Sequence, residues 1–262
     1  MRGARAIAAC APLVLGMLTA EAHAGAWVKK RGEGLLITVY SSHWLTAPGG
    51  TDLRKSELSL YAEYGLTSRI TLVGRAALQS LSETRAPSDG QSDEAFSNAL
   101  VAVGGSEVGV RIGLLQKGRW AVSAQLSRTL ESGGENRTNH RFGVGGGDVE
   151  ARLLVGRSFG HGSFLDVQLA RRALDTRGGE EWRLDTALGV PVSPRWRLMT
   201  ETFSISADAR PGASAYSGHR AQLSAVYDAP AGFSVSIGVL GTLHADNTAR
   251  ERAGFVRFWQ NF

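Results

Sequence analysis

The stretch "ERAGFVRFWQNF" (residues 251–262) decides the fold. Gly254, Val256, Phe258 and Phe262 fall on one face of an extended chain, and Arg257 and Asn261 fall on the other. Gln260 interrupts the apolar face, and Trp259 sits on the mixed side. A repeat of two is the repeat of a strand, because successive side chains point to opposite faces. The last residues of a soluble domain usually fray in water and gain nothing from an aromatic side chain. The pattern therefore predicts a strand held to its final residue.

The same alternation recurs upstream, and no helical periodicity of useful length appears after Gly25. "SELSLYAEYGL" (56–66) sets Leu58, Leu60, Ala62 and Tyr64 against Glu57, Ser59, Tyr61 and Glu63, with Lys55 on the polar side. "SEVGVRIGLL" (106–115) sets Val108, Val110, Ile112 and Leu114 against Glu107, Gly109, Arg111 and Gly113. "DVEARLLVG" (148–156) opposes Val149, Ala151, Leu153 and Val155 to Glu150, Arg152 and Gly156. In "EWRLDTALGV" (181–190) Trp182, Leu184, Leu188 and Val190 oppose Arg183, Asp185 and Gly189. In "HRAQLSAVYD" (219–228) Ala221, Leu223, Ala225 and Tyr227 oppose Arg220, Gln222 and Ser224. The expected segments are 34–45, 53–66, 69–82, 104–116, 119–131, 147–159, 162–175, 180–192, 195–207, 217–228, 232–245 and 250–262.

A soluble sandwich alternates too, with its apolar face inside and its polar face wet. Two features favour the inverse, apolar outside. The segments run about 10 to 13 residues, longer than the usual five or six and matched to a tilted membrane crossing. The connections also alternate. "TS", "KG", "GH", "SP" and "APA" are tight, whereas "SETRAPSDGQSDEAFSNALVAVG" and "ESGGENRTNHRFGVGG" are long and polar. Short periplasmic turns and long extracellular loops mark outer-membrane barrels, and an even strand count puts both ends in the periplasm. In lipid the sheet must close, because an open edge would leave backbone groups without water. The expected fold is all-β, a transmembrane antiparallel barrel of about twelve strands over residues 25–262.

Aromatic residues support this reading. Tyr64, Trp120, Phe159, Phe164, Trp196, Tyr227, Phe233 and Phe262 fall near tight turns. Trp44, Phe142, Trp182, Phe203 and Tyr216 fall near long loops. Two belts are expected where amphipathic rings meet the headgroups, with Phe262 anchoring the closing strand at the periplasmic one.

Residues 1–24 read as a signal peptide. "MRGAR" is basic, "AIAACAPLVLGMLTA" is a short apolar core, and Ala22 and Ala24 form a small-x-small cleavage site. The apolar run is short for a bilayer span and contains Pro12. Acylation at Cys10 is the rival reading, but that processing needs the apolar core to precede the cut. Cutting after Ala24 removes Cys10, the sole cysteine, so no disulfide or thiolate chemistry is expected. The chain has 33 glycines and 7 prolines, which suits curved strands and tight turns. Loss of Arg2, Arg5 and Glu21 takes the net charge from +5 to +4, too mild a bias to support a nucleic-acid partner.

The polar parity places Lys55, Glu57, Glu63, Arg75, Glu107, Arg111 and Glu150 on the inward face. Arg152, Arg183, Asp185, Arg197, Glu201, Arg220 and Arg257 share it. Both signs recur on adjacent strands. The set reads either as a charged pore that orients a polar solute, or as a paired network that fills the lumen. "EAFSNALVAVG" (94–104) has Phe96, Ala99, Leu100 and Val103 at helix-like spacing, for an inward constriction or a small rim helix. "GAWVKKRGEG" (25–34) enters the lumen or lies in the periplasm.

His43, His140, His219 and His244 map near the extracellular rim, with Asp52, Asp208 and Asp246 nearby. His43 with Ser41 or Ser42 is the one inexpensive hydrolase candidate, close to His244 if the end strands meet. The sequence has no H-E-x-x-H, no G-x-S-x-G and no metal-ligand spacing. "GVGGGD" (143–148) opens a strand and not a helix, which argues against a phosphate loop. No catalytic residue, metal or cofactor is therefore expected.

Several stretches resemble the XagA-like group of Gram-negative outer-membrane proteins. They are "GAWVKKRGEG", "RKSELSLYAEYGLTSRITLV" (54–73), "ARLLVGRSF" (151–159), "FLDVQLARR" (164–172), "EWRLDTALGV", "QLSAVYD" (222–228) and the last strand. "EYGLTSRITL" (63–72) is also similar to transporters linked to phenol degradation. The resemblance implies outer-membrane lipid as surroundings and polysaccharide-export components as partners, and it brings no catalytic motif. The chain end is similar to the C-terminal signal read by barrel-assembly machinery, which implies Phe258 and Phe262 as its residues. The expected function is transport or secretion of a polar, carbohydrate-like molecule. A structural or adhesive barrel with a filled lumen is the alternative, and an outer-membrane hydrolase comes third.

Overall fold

A computed structural model describes residues 25–48, 52–84, 100–130, 147–175, 179–210 and 214–262. The expected signal peptide lies outside these residues, as do Phe96, Ala99, His140 and Phe142. The first six strands are β1 (Gly34–Thr46), β2 (Asp52–Gly65), β3 (Ile70–Thr84), β4 (Leu100–Lys117), β5 (Trp120–Thr129) and β6 (Val149–Gly160). They are followed by β7 (Ser163–Ala173), β8 (Glu180–Ser193), β9 (Trp196–Ala207), β10 (Tyr216–Asp228), β11 (Phe233–Asp246) and β12 (Arg250–Asn261).

Each strand pairs antiparallel with its neighbours in sequence, and β1 also pairs with β12, so the sheet is a closed barrel. Closure runs to the end of the described chain. Gly34 and Phe262 exchange both backbone hydrogen bonds, at 2.7 and 3.1 Å, and the Phe262 ring covers Gly34. Closure leaves no sheet edge to be satisfied by solvent.

Large apolar side chains cover the outside. Leu126, Ile237, Val239 and Leu243 are 59–72% exposed, and the outward residues of β2, β4 and β8 behave likewise. In water such a surface would aggregate, whereas in hydrocarbon it is solvated. Closed backbone pairing, an apolar exterior and a polar interior make this an outer-membrane barrel. The β6–β7 connection is as tight as an extended pair allows. Gly160, His161 and Gly162 all take positive φ, at 87°, 50° and 79°.

Two expectations need correction. Leu100 and Val103 belong to β4, which starts four residues before the expected segment, and not to a helix. Pairing of Leu100–Gly104 with Ala77–Leu81 of β3 overrides the local spacing, as tertiary pairing often does for β-branched runs. The aromatic belts also lose three members to the interior. Phe164 is 4% exposed and packs with Met199 and Val226, Phe203 faces the lumen, and the Tyr216 hydroxyl donates to Glu181 at 2.6 Å. Each lies near a chain turn but on the inward parity, and parity decides the direction. Tyr64, Trp120, Phe159, Trp196 and Phe262 stay outward at the periplasmic end, as do Trp44 and Trp182 at the extracellular end. Tyr227 lies against Trp196 and Phe233 against Phe258, at ring separations of 5.1 and 5.2 Å.

Candidate functional site in the barrel lumen

Inward charges meet in layers. Near the extracellular mouth, Glu251 accepts from Arg220 at 2.7 Å and meets His43 at 2.5 Å. One pleat lower, Glu57 gathers Lys55 (3.2 Å), Arg75 (3.0 Å) and Gln79 (2.9 Å). Across the lumen Glu150 takes Arg152 at 2.8 Å and Arg172 at 2.9 Å, and Arg183 approaches at 3.7 Å. Arg152 also donates to Asp185 at 2.6 Å, Arg183 to Glu181 at 2.5 Å, and Arg172 lies 3.6 Å from Glu107. Glu201 accepts from Arg257 at 2.9 Å and from Gln222. Toward the periplasm, Arg111 donates to Glu63 (2.7 Å), Tyr61 (3.0 Å) and Gln125 (3.0 Å), and Arg197 to Asp228 (2.6 Å). A charge withdrawn from bulk water must be compensated, and neighbouring strands supply the opposite sign. Arg172, Glu181 and Asp228 carry the same alternation signal and belong with the residues singled out from sequence.

The periplasmic end holds something the alternation does not announce. Residues 25–29 turn into the lumen, and 30–33 form an exposed turn that leads into β1. The Ala26 N–H donates to Asp166 at 2.9 Å, and the Lys29 N–H donates to the Thr71 hydroxyl at 2.9 Å. Lys29 Nζ lies 3.9 Å from Glu63. Trp27 packs on the cluster of Phe164, Met199 and Val226, as Trp259 does, and on the cluster of Ala26, Ala121 and Leu154. Inward glycines make the room. A Cβ on Gly156 would strike the Trp27 ring, and one on Gly65 would strike the Lys30 carbonyl. Glycine on the inward face of several strands at one end was the available sequence signal for this segment.

Above the segment lies a cavity of about 460 Å³ with Gly25 in its floor. Its walls differ. Strands β2 to β7 present Glu57, Arg75, Glu107, Arg111, Glu150 and Arg152. The remaining wall carries an apolar patch of Ile37, Val39, Phe203, Leu240, Ala253 and Phe255, set among Ser41, His43, Glu201, Gln222 and Arg257. Arg257 lies over the Phe255 ring at 4.5 Å, joining the two surfaces. The volume is that of a small-molecule site. Polar groups around the ring can hydrogen-bond a solute, and the apolar patch can pack on its apolar face.

The histidines separate. His219 and His244 face each other at 5.8 Å on β10 and β11. His43 turns into the lumen across from Ala253, so it does not join His244. Its Nε2 lies 2.7 Å from Ser41 Oγ and its Nδ1 2.5 Å from Glu251 Oε1. A hydroxyl, an imidazole and a carboxylate are thus in line. The strand backbone around Ser41 is paired with β2 and β12 on both sides, so its amides point along the sheet and not at a reacting carbonyl. Among the described residues no group of three acidic, histidine or cysteine side chains is arranged to hold a metal.

No family model and no curated protein matches the chain. Solved structures do. The crystal structure of the COG4313 outer membrane channel from Pseudomonas putida F1 superposes with a TM-score of 0.65. Identity is 14%, with 92% of this chain and 100% of that one covered. The NanC porin gives 0.52 at 9% identity, covering 84% and 98%. The translocator domain of the autotransporter NalP from Neisseria meningitidis gives 0.51 at 12%, covering 89% and 90%. The likeness is one of fold.

Proposed function

We propose that this barrel is an outer-membrane channel for a small polar solute, a carbohydrate unit being the class that suits it best. The observation carrying this is a cavity with a polar, charged lining interrupted by one apolar patch. A sugar ring offers an apolar face to Phe203 and Phe255 and hydroxyls to the Arg/Glu/Gln wall. The channel and porin among the structurally similar proteins support the reading. So does the XagA-like resemblance, from which polysaccharide-export components follow as partners. Recognition rests on hydrogen bonding and charge, with no covalent step. Phe258 and Phe262, at the periplasmic end of β12, are the proposed contacts for barrel-assembly machinery.

Single-channel recording of the refolded protein in a planar bilayer tests the proposal, with Arg152→Ala beside it. A steady current whose ion selectivity changes in the variant supports it. Silence from folded barrels, with or without residues 25–33, would return the molecule to a filled structural barrel acting through its loops.

A second reading, an ester hydrolase, has one observation in its favour, the Ser41–His43–Glu251 alignment. An activity-based fluorophosphonate that labels the protein but not Ser41→Ala would establish it. Absence of labelling at saturating probe would remove it.

A further inference from the structure

The arginines of the lumen all meet carboxylates, but a cluster of three on the outer surface does not. Arg54, Arg250 and Arg252 are exposed, on the outward parity of β2 and β12 at their extracellular ends. Cross-strand register sets Arg54 and Arg252 on either side of Trp44, with Gly241 beyond Arg252 and Arg250 opposite Thr46. None of the three makes an ion pair with a described residue. Of the other outward strand arginines, Arg128 on β5 stands alone among the described residues, and two are provided for. Arg171 pairs with Glu180, and Arg157 lies over Trp120 and Phe159 at 4.9 and 5.1 Å. The nearest outward carboxylate, Asp52, already accepts the Thr46 hydroxyl at 2.8 Å, and Glu251 is held from inside by Arg220 and His43.

These residues surround a cleft of about 470 Å³. Trp44 fixes its height at the extracellular aromatic belt, where headgroups begin. Directly below, the outer wall is smooth. A Cβ added at Gly241 or Gly254 would meet nothing within 4 Å, and Ser42 is the neighbour of Gly254 on β1. Val239 stands beside Gly254 on β11, and Tyr40, Val256 and Ile237 form the next outward row below, all exposed. A planar guanidinium left without a carboxylate at headgroup depth is matched by a phosphate, which it binds through paired N–H donors. The shallow dip over Gly241 and Gly254, opening onto the apolar row of Tyr40, Val256 and Ile237, adds a place for an acyl chain.

We propose that this cleft binds a phosphorylated, acylated lipid of the outer leaflet, with a phosphate between Arg54 and Arg252 and an acyl chain over Gly241 and Gly254. The site lies outside the barrel and is independent of what the lumen carries.

The test is native mass spectrometry of the folded protein in detergent, titrated with diphosphoryl lipid A, its dephosphorylated form and inorganic phosphate. The expected result is one retained diphosphoryl lipid per barrel, with the dephosphorylated lipid and free phosphate bound at least about tenfold more weakly. The double variant Arg54→Gln/Arg252→Gln should lose about tenfold in lipid affinity, the size expected for charge-assisted contacts at a partly wet site. Arg128→Gln, a lone outward arginine on β5, should lose nothing. Gly241→Leu fills open space without disturbing the barrel and should also weaken binding. It decides the matter if the arginine variant does not fold. Equal binding of dephosphorylated lipid, or an equal loss in Arg128→Gln, would overturn the site. Inorganic phosphate binding as tightly as the lipid would assign the arginines to a soluble anion instead.

Discussion

Two ends of one lumen use the same ion-pair chemistry under different conditions. At the periplasmic end the side chains of Arg111 and Glu63 are 3% and 5% exposed, roofed by residues 25–29. Toward the extracellular mouth Arg75 and Arg220 keep 48% and 39% exposure while their carboxylates, Glu57 and Glu251, lie at 9% and 7%. A pair sealed from water is held by geometry and is costly to break, because the surviving charge has nowhere to go. A pair with one wet member gives little stability and leaves a cation free to meet a solute. On the proposed channel reading, the periplasmic half is the structural closure and the extracellular half the working surface.

Deleting residues 26–31 is the sharpest way to break that contrast. It removes Trp27 and the backbone contacts to Asp166 and Thr71 together, and single-channel conductance is expected to rise several-fold while the barrel keeps its folded mobility on gels. An unchanged current would mean that this segment does not close the channel. Gly156→Leu should give a smaller rise of the same kind, since a side chain there displaces the Trp27 ring while the strand pairing of β6 remains.

Arg111→Ala tests the buried pair directly. It leaves the buried Glu63 only Lys29, at 3.9 Å, and the Tyr61 hydroxyl, at 2.7 Å, and should cost roughly 3–5 kcal/mol in urea unfolding from micelles. A loss below about 1 kcal/mol would show that water reaches Glu63 after all, and the two ends would then be alike. The smallest effect is expected at Arg75→Ala. Stability should change by about 0–1 kcal/mol, while reversal potentials shift toward cation preference because Glu57 loses one of its two cations.

Much of the barrel is legible in the sequence because a strand exposes its environment at every second residue. Glu57 and Leu58 cannot both face lipid, and this holds for every segment from 34 to 262. The same rule was available for Phe164 and Phe203, where nearness to a turn gave the wrong direction and parity gave the right one. Residues 25–33 follow no period, so their place could be read only from distant glycines that make room for them. His43 and Glu251 stand 208 positions apart, and no local pattern connects them. Ring closure does.

The sequence by itself determined the strands, their number, which face meets lipid, and the inward set of charges. These follow from local periodicity, which solvent imposes residue by residue. Only the tertiary structure decided which charges pair, that Trp27 packs inside the periplasmic end, and that the polar cavity carries an apolar patch. Those are relations across a closed ring. They depend on cross-strand register and on which side chains share a level of the lumen, and neither is encoded within a single strand.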